Sequence, residues 1–253
     1  MDKGVDFESI TREKWHIPKF ERIQALMETS KKECVHLTEM NELILVAVYT
    51  YMAFSKIPSF FDETKHISHR YANSLVFPCL IELIRISFHT VFLSGSGFYR
   101  SAYNNIRYFL ESTVQTFYID LKHKNSDFFC KVEILKEVED KLEYRGVRLI
   151  RELEPEHRKD IEKQYKRLSK EIHASYRQIF ITVSDFQRGS LDINVDCEEV
   201  SRIYDSMKMI YDIFFILFLR YFPELRKPLE EDREFIKVVK DHNLKLLSKV
   251  LDI

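Results

Sequence analysis

Apolar side chains that return every three or four residues, in stretch after stretch, constrain this chain more than any other feature. The clearest run is Ile161, Tyr165, Leu168, Ile172, Tyr176, Ile179 and Val183, the repeat of a helix with one buried face. The same steps join Ile23, Met27, Leu37, Met40, Leu43, Val46, Tyr49 and Ala53. They predict one long helix, or two nearly collinear ones, from Phe20 to about Lys56, ended by Pro58. Leu75 to Leu93 is apolar nearly all round, which predicts a helix in the middle of a bundle. Ser94-Gly95-Ser96-Gly97 stops it, because glycine takes the backbone angles of a helix C-terminus.

A third helix is expected from about Phe98 to Lys122, with Ala102, Ile106, Phe109, Leu110, Thr113 and Phe117 facing inward. A fourth begins near Asp127, bends at Gly146 and ends before Pro155, which suits the first turn of the next helix. Ser184 to Val195 reads as a loop. Asp196 and Glu199 are then spaced as an N-cap and its reciprocal partner for a helix from Cys197 to Tyr221. Pro223 and Pro228 bracket a turn, and Leu229 to Leu251 reads as a last amphipathic helix. With 5 Gly and 6 Pro in 253 residues there is little to punctuate strands. The expected fold class is all-α, in one domain spanning 1–253.

Charge excludes some function classes. Lys and Arg number 39 against 40 Asp and Glu, so no global field draws the chain to nucleic acid or anionic lipid, and such binding requires a local patch. Cys34, Cys79, Cys130 and Cys197 form no C-x-x-C pair and are expected to pack as small hydrophobes. The charged stretch from Met1 to Lys19 lacks the apolar core of a secretory signal, and a cytoplasmic location is expected. Glu42 to Phe54 and Met209 to Phe222 are too short to span a bilayer, and the run from Ser74 to Ser94 carries Glu82 and Arg85 near its centre. No membrane partner is expected.

Three groups of residues could carry chemistry. Glu63, His66 and His69 are of metal-ligating types, but on a helix Glu63 is turned about 120° from His69, so a metal is not expected. Arg107 and Glu111 lie four apart and pair across one helical turn, either structurally or beside an active site. On the helix that carries the best apolar stripe, His173 shares a side with Ser169 and Arg177, while Arg167 is displaced by about 120°. A histidine at a groove can act as acid or base near neutrality; the alternative is a partly buried ring bonded to a carbonyl.

Arg167-x5-His173 resembles the R-x(4–6)-H signature of the HEPN superfamily (higher eukaryotes and prokaryotes nucleotide-binding domains). The context Leu168-Ser169-x3-His173-Ala174-Ser175 is similar to the second half of that pattern. Gly97-x4-Ala102-x4-Arg107-x3-Glu111 is similar to the earlier helix that accompanies it. One position departs from the pattern: active members commonly carry a polar residue after the arginine, and here it is Leu168. The resemblance covers about 97–183 and implies a HEPN-like helical bundle with additional N- and C-terminal helices.

It implies as well a homodimeric, metal-independent endoribonuclease of the kind found in toxin–antitoxin and defence systems, with no cofactor. Arg167 and His173 would be its catalytic residues, with Arg107 and Glu111 as neighbours, and the helical wheel adds Ser169 and Arg177 as supporting residues beside His173. The region from Arg145 to Arg177 holds ten Lys or Arg against six Asp or Glu, a local excess that suits RNA. The rival expectation is a catalytically inactive helical interaction module, dimerising or binding a nucleotidyltransferase-like partner, with Tyr211, Phe214, Phe215 and Phe218 at its interface.

Overall fold

Why the helices assemble as they do is clearest at the helix Cys197–Tyr221, whose positions 211–219 are buried without a break. A helix buried all round has to be surrounded by others. The computed structural model describes residues 25, 28–30, 32–54, 57, 71–140, 146–153, 158–172 and 195–253. In chain order its helices are α1 (Val35–Phe54), α2 (Val76–Gly95), α3 (Tyr99–Lys122), α4 (Phe128–Asp140), α5 (Ile150–Leu153), α6 (Arg158–Ile172) and α7 (Cys197–Tyr221). A 3-10 turn (Pro223–Leu225) follows, then α8 (Arg226–Glu230), α9 (Arg233–Asp241) and α10 (Lys245–Val250). The fold is all-α; among the described residues there is no strand.

The middle of the bundle is α7, not α2. It packs on α1, α2, α3 and α10, and meets α1 through an aromatic cluster in which Phe54, Phe214, Phe218 and Phe222 lie with ring centroids 5.0–5.9 Å apart. Tyr211, Phe214, Phe215 and Phe218 are therefore core, which corrects their assignment to a subunit interface. The residues of α2 do not all turn inward: Ile81, Phe88 and Phe92 are about half exposed on one stripe. By length and composition α2 could cross a membrane, yet its other face packs against α1, α3 and α7.

Two polar devices join the helices. The N-terminus of α2 is held by Asp120 from α3, whose Oδ2 accepts from the Val76 N–H at 3.0 Å and from the Ser74 hydroxyl at 2.7 Å. Lys131 of α4, also buried, lies 2.9 Å from Asp120 Oδ1 and donates to the Asn73 carbonyl at 2.7 Å. Oδ1 itself has no aligned hydrogen bond, so that contact is Coulombic. Further on, Gly97 turns the chain from α2 into α3 at φ 76°, in the left-handed region that glycine takes without strain.

Several local expectations are corrected. The expected last helix is three, because Asp232 caps α9 through the Phe235 N–H and Asn243 turns the chain at φ 52° before α10. The turn after Pro223 is itself helical. Asp196 caps α7, but Glu199 does not reach back to it: its carboxylate accepts from Tyr103 and Arg202 at 2.9 Å each.

Cys34 and Cys197 are disulfide-bonded, Cα–Cα 5.5 Å, across a separation of 163 residues; Cys79 and Cys130 stay free. Sequence spacing carries no sign of this pairing. Because disulfides are rare in most cytosolic proteins, cysteine usage gives no support to a cytoplasmic location. Burial pushes the Cys79 thiol up to about 12, against a weaker opposing hydrogen bond from Thr116, so it is a packing residue rather than a nucleophile.

Two outcomes follow for stability. Reducing the Cys34–Cys197 bridge, or Cys197→Ser, lowers unfolding free energy by about 2–5 kcal/mol in denaturant titrations, since a closed loop this long restricts the unfolded chain strongly. His242 is buried, with Nδ1 2.6 Å from the Tyr204 hydroxyl and Nε2 lacking a hydrogen-bond partner. Burial lowers its pKa, Lys208 adds to this, and Glu42, Glu39 and Asp241 oppose it. The unfolded state therefore takes the proton first. Stability that is complete above about pH 6.5 falls as pH drops toward the lower folded value, and His242→Phe flattens that slope in the same titrations run from pH 7.5 to 5.

Candidate functional site: the face between α3 and α6

The helices α3 and α6 pack together, and the residues that meet show that they run antiparallel. Tyr165 of α6 meets Arg107 and Glu111 of α3, while Arg167 and Glu171, farther along α6, act electrostatically on Tyr103, farther back along α3. The seam is sealed by Ile161 and Leu168, each 1% exposed. Polar residues at the edge of these apolar stripes then face one another across it.

Arg107, Glu111 and Tyr165 form a closed set. The Arg107 Nε donates to Glu111 Oε1 at 2.9 Å and its Nη2 donates to the Tyr165 hydroxyl at 3.0 Å. Tyr165 in turn donates to Glu111 Oε1 at 2.5 Å. The guanidinium also stands 5.1 Å from the Tyr165 ring centroid. Burial and then the Glu111 carboxylate raise the pKa of the Tyr165 phenol, with Arg107 opposing, so Tyr165 stays protonated and donates. The pair expected from sequence is present and its hydrogen bonds are used within the protein. A tyrosine joins it that the periodicity placed in the inner stripe.

Tyr165 is held from behind by Gly146. A Cβ on Gly146 would stand 2.9 Å from the phenol carbon and oxygen, and φ there is 69°. Only glycine fits both the space and the backbone.

Open space lies on both sides of the Tyr165 ring. One cavity of about 360 Å³ is lined by Arg107, Tyr108, Glu111, Ser112, Gln115, Gly146 and Tyr165. A second, also about 360 Å³, is lined by Val147, Arg148, Arg151, Glu162, Tyr165 and Lys166. Each lies within the size range of small-molecule sites. Glu162 is drawn to Arg158 at 2.8 Å and lies 3.9 Å from Arg151, and among the described residues the lining of the second cavity is net positive.

Of the other expected site residues, Arg167 is half-buried, and two residues of helix turn it about 200° from Tyr165. The structure therefore does not bring it together with Arg107 and Glu111. Ser169 is half-buried on α6. His173 and Arg177 lie outside the described residues, as do Glu63, His66 and His69. Among the described residues no group of His, Cys, Asp or Glu is arranged to hold a metal. The signal that could have located the cavity was the polar stripe Tyr108, Ser112 and Gln115 beside Arg107 and Glu111 on α3.

Compared with known families, curated proteins and solved structures, the chain matches no family model, no curated protein and no solved structure.

Gly146→Ala tests the geometry around Tyr165. The left-handed angle and the clash together predict a loss of about 1–3 kcal/mol in denaturant titration. Tyr165→Phe, which removes only the shared hydroxyl, should cost about 1–3 kcal/mol, because Arg107 and Glu111 lose a partner in a half-buried setting.

Proposed function

We propose that this chain is a metal-independent endoribonuclease of HEPN type, cutting RNA by attack of a 2′-hydroxyl on the adjacent phosphate. His173 handles the 2′-hydroxyl proton and Arg167 stabilises the charge that builds on the phosphoryl oxygens. The 2′-oxygen forms a bond to phosphorus, the 5′-oxygen of the next nucleotide leaves and takes up a proton, and a 2′,3′-cyclic phosphate remains. The 2′-hydroxyl requirement makes DNA a non-substrate.

The observation that supports this reading most is the condition of Arg167. No described residue forms a hydrogen bond or ion pair with its guanidinium, whereas Arg107, Arg158, Arg202 and Arg226 are all bonded to carboxylates. A half-buried cation left unbonded by its neighbours suits an anionic ligand. It stands on the helix whose other side carries the basic cavity at Arg151 and Lys166.

A second reading has its own support. The stripe Ile81, Phe88 and Phe92 on α2 is an exposed apolar face of the kind that marks protein–protein contact. It fits an inactive helical module that dimerises or docks on a nucleotidyltransferase-like partner.

Incubation with mixed RNA in EDTA separates the two. The ribonuclease reading predicts cleavage that survives chelation, leaves DNA intact and falls by about 100-fold or more in His173→Ala and Arg167→Ala. No cleavage, or equal cleavage by both variants, overturns it in favour of the module.

A further inference from the structure

The two cavities flanking Tyr165 have different chemistry, and together they outline a ligand. On the α3 side, Gln115 is 8% exposed and lines the cavity. No described residue hydrogen-bonds its side-chain amide. A primary amide held inside a protein ordinarily finds partners for its N–H and C=O groups. Here both can serve a ligand in the cavity. The Ser112 hydroxyl lies one turn away on the same helix side, and the Tyr108 ring, 57% exposed, stands at the rim. An aromatic face, an amide with donor and acceptor side by side, and a hydroxyl recognise a flat heteroaromatic ring carrying its own donors and acceptors.

On the far side of the Tyr165 ring the lining changes sign. Arg148, Arg151 and Lys166 line the second cavity, with Glu162 the single opposing carboxylate among the described residues, bonded to Arg158 and 3.9 Å from Arg151. Lys166 is exposed and makes no ion pair with any described residue. Cations grouped at a concave surface suit a phosphate. Arg107 and Glu111 line the first cavity only and are spent on holding Tyr165, the described residue that lines both.

We infer that the α3–α6 face is a nucleotide subsite, with a nucleobase against Tyr108 and Gln115 and its phosphate among Arg148, Arg151 and Lys166. Phosphate and base chemistry are shared by a free nucleotide and by one unit of single-stranded RNA. The RNA source rests on the function proposed above, whereas the subsite does not. It lies on the side of α6 away from Arg167, so it selects or anchors a ligand and takes no part in bond cleavage.

Binding is measured by calorimetry on the His173→Ala protein, so that cleavage cannot interfere, with four probes: nucleoside monophosphates, the matching nucleosides, inorganic phosphate, and an eight-nucleotide single-stranded RNA. A monophosphate should bind about tenfold or more tightly than its nucleoside or inorganic phosphate. Arg151→Gln with Lys166→Gln should abolish that advantage, and Gln115→Met should weaken monophosphate and nucleoside alike by about tenfold. Binding of the monophosphate without the RNA assigns the site to free nucleotides; tighter RNA binding lost in the same variants assigns it to RNA. Inorganic phosphate binding as tightly as the monophosphate, no binding by any probe, or unaltered affinity in the variants overturns the subsite. The Arg151 and Lys166 substitutions are on the surface, so a folding defect does not mask the result, and circular dichroism checks the Gln115 variant. RNA cleavage measured separately on the parent protein keeps the two ideas apart, since either can fail while the other stands.

Discussion

Burial of α7 on every side is the constraint from which the arrangement of the other helices follows. A helix whose positions 211–219 are all inaccessible gives its neighbours no choice but to surround it. The ring of Phe214 makes this concrete: it touches Phe109 and Phe117 of α3 at centroid distances of 5.6 and 5.9 Å and Phe218 of its own helix at 5.2 Å. Once Phe109 and Phe117 point at α7, the 3.6-residue repeat turns Arg107, Tyr108, Glu111 and Ser112 toward the opposite edge of α3. The polar face that meets α6 is thus a geometric consequence of the aromatic core.

Polar groups at the ends and edges then fix what the core leaves loose. Asp120 does two jobs at once, capping α2 and neutralising a lysine of α4, so three helices are set relative to one another by a single carboxylate. Breaking such a buried pair on one side leaves an uncompensated charge, which costs more than the pair itself contributes. Gly146 plays a comparable part for the candidate site, because the Tyr165 ring occupies the space that any side chain there would need. The disulfide from Cys34 to Cys197 ties the start of α1 to the start of the central helix. The N-terminal end of α7 thereby sits between a covalent tether and the Tyr103–Glu199 hydrogen bond.

The sequence made the helices legible where one face was apolar and an end was marked. The α7 boundaries follow from Asp196 before it and Pro223 after it, and α3 from the glycines ahead of it and its inward stripe. It misplaced the centre of the bundle, because α2 and α7 are both apolar nearly all round and hydropathy alone does not say which stripe remains in solvent. It ran α8, α9 and α10 together, since Asp232 and Asn243 are weak signals within a continuous amphipathic pattern. The Cys34–Cys197 bridge was invisible because it depends on a distance between elements 163 residues apart. At the candidate site, four-residue spacing was enough to pair Arg107 with Glu111. Tyr165 joined them only once α6 was laid antiparallel on α3, and the vacancy beside Gln115 is a property of packing that no single helix encodes.

The proposed nucleotide subsite lies on one face, where Tyr108 of α3 forms an aromatic rim and Arg148, Arg151 of α5 and Lys166 of α6 group their charges. Ultraviolet crosslinking of a uridine-rich single-stranded RNA to the His173→Ala protein, followed by peptide mass mapping, tests it most directly. Binding at this face predicts adducts on the peptides that carry Tyr108 and Tyr165, suppressed by competing RNA. Adducts confined to α1, α9 or the exposed face of α2, or no adduct from either that RNA or a photoreactive nucleoside monophosphate, would contradict the subsite.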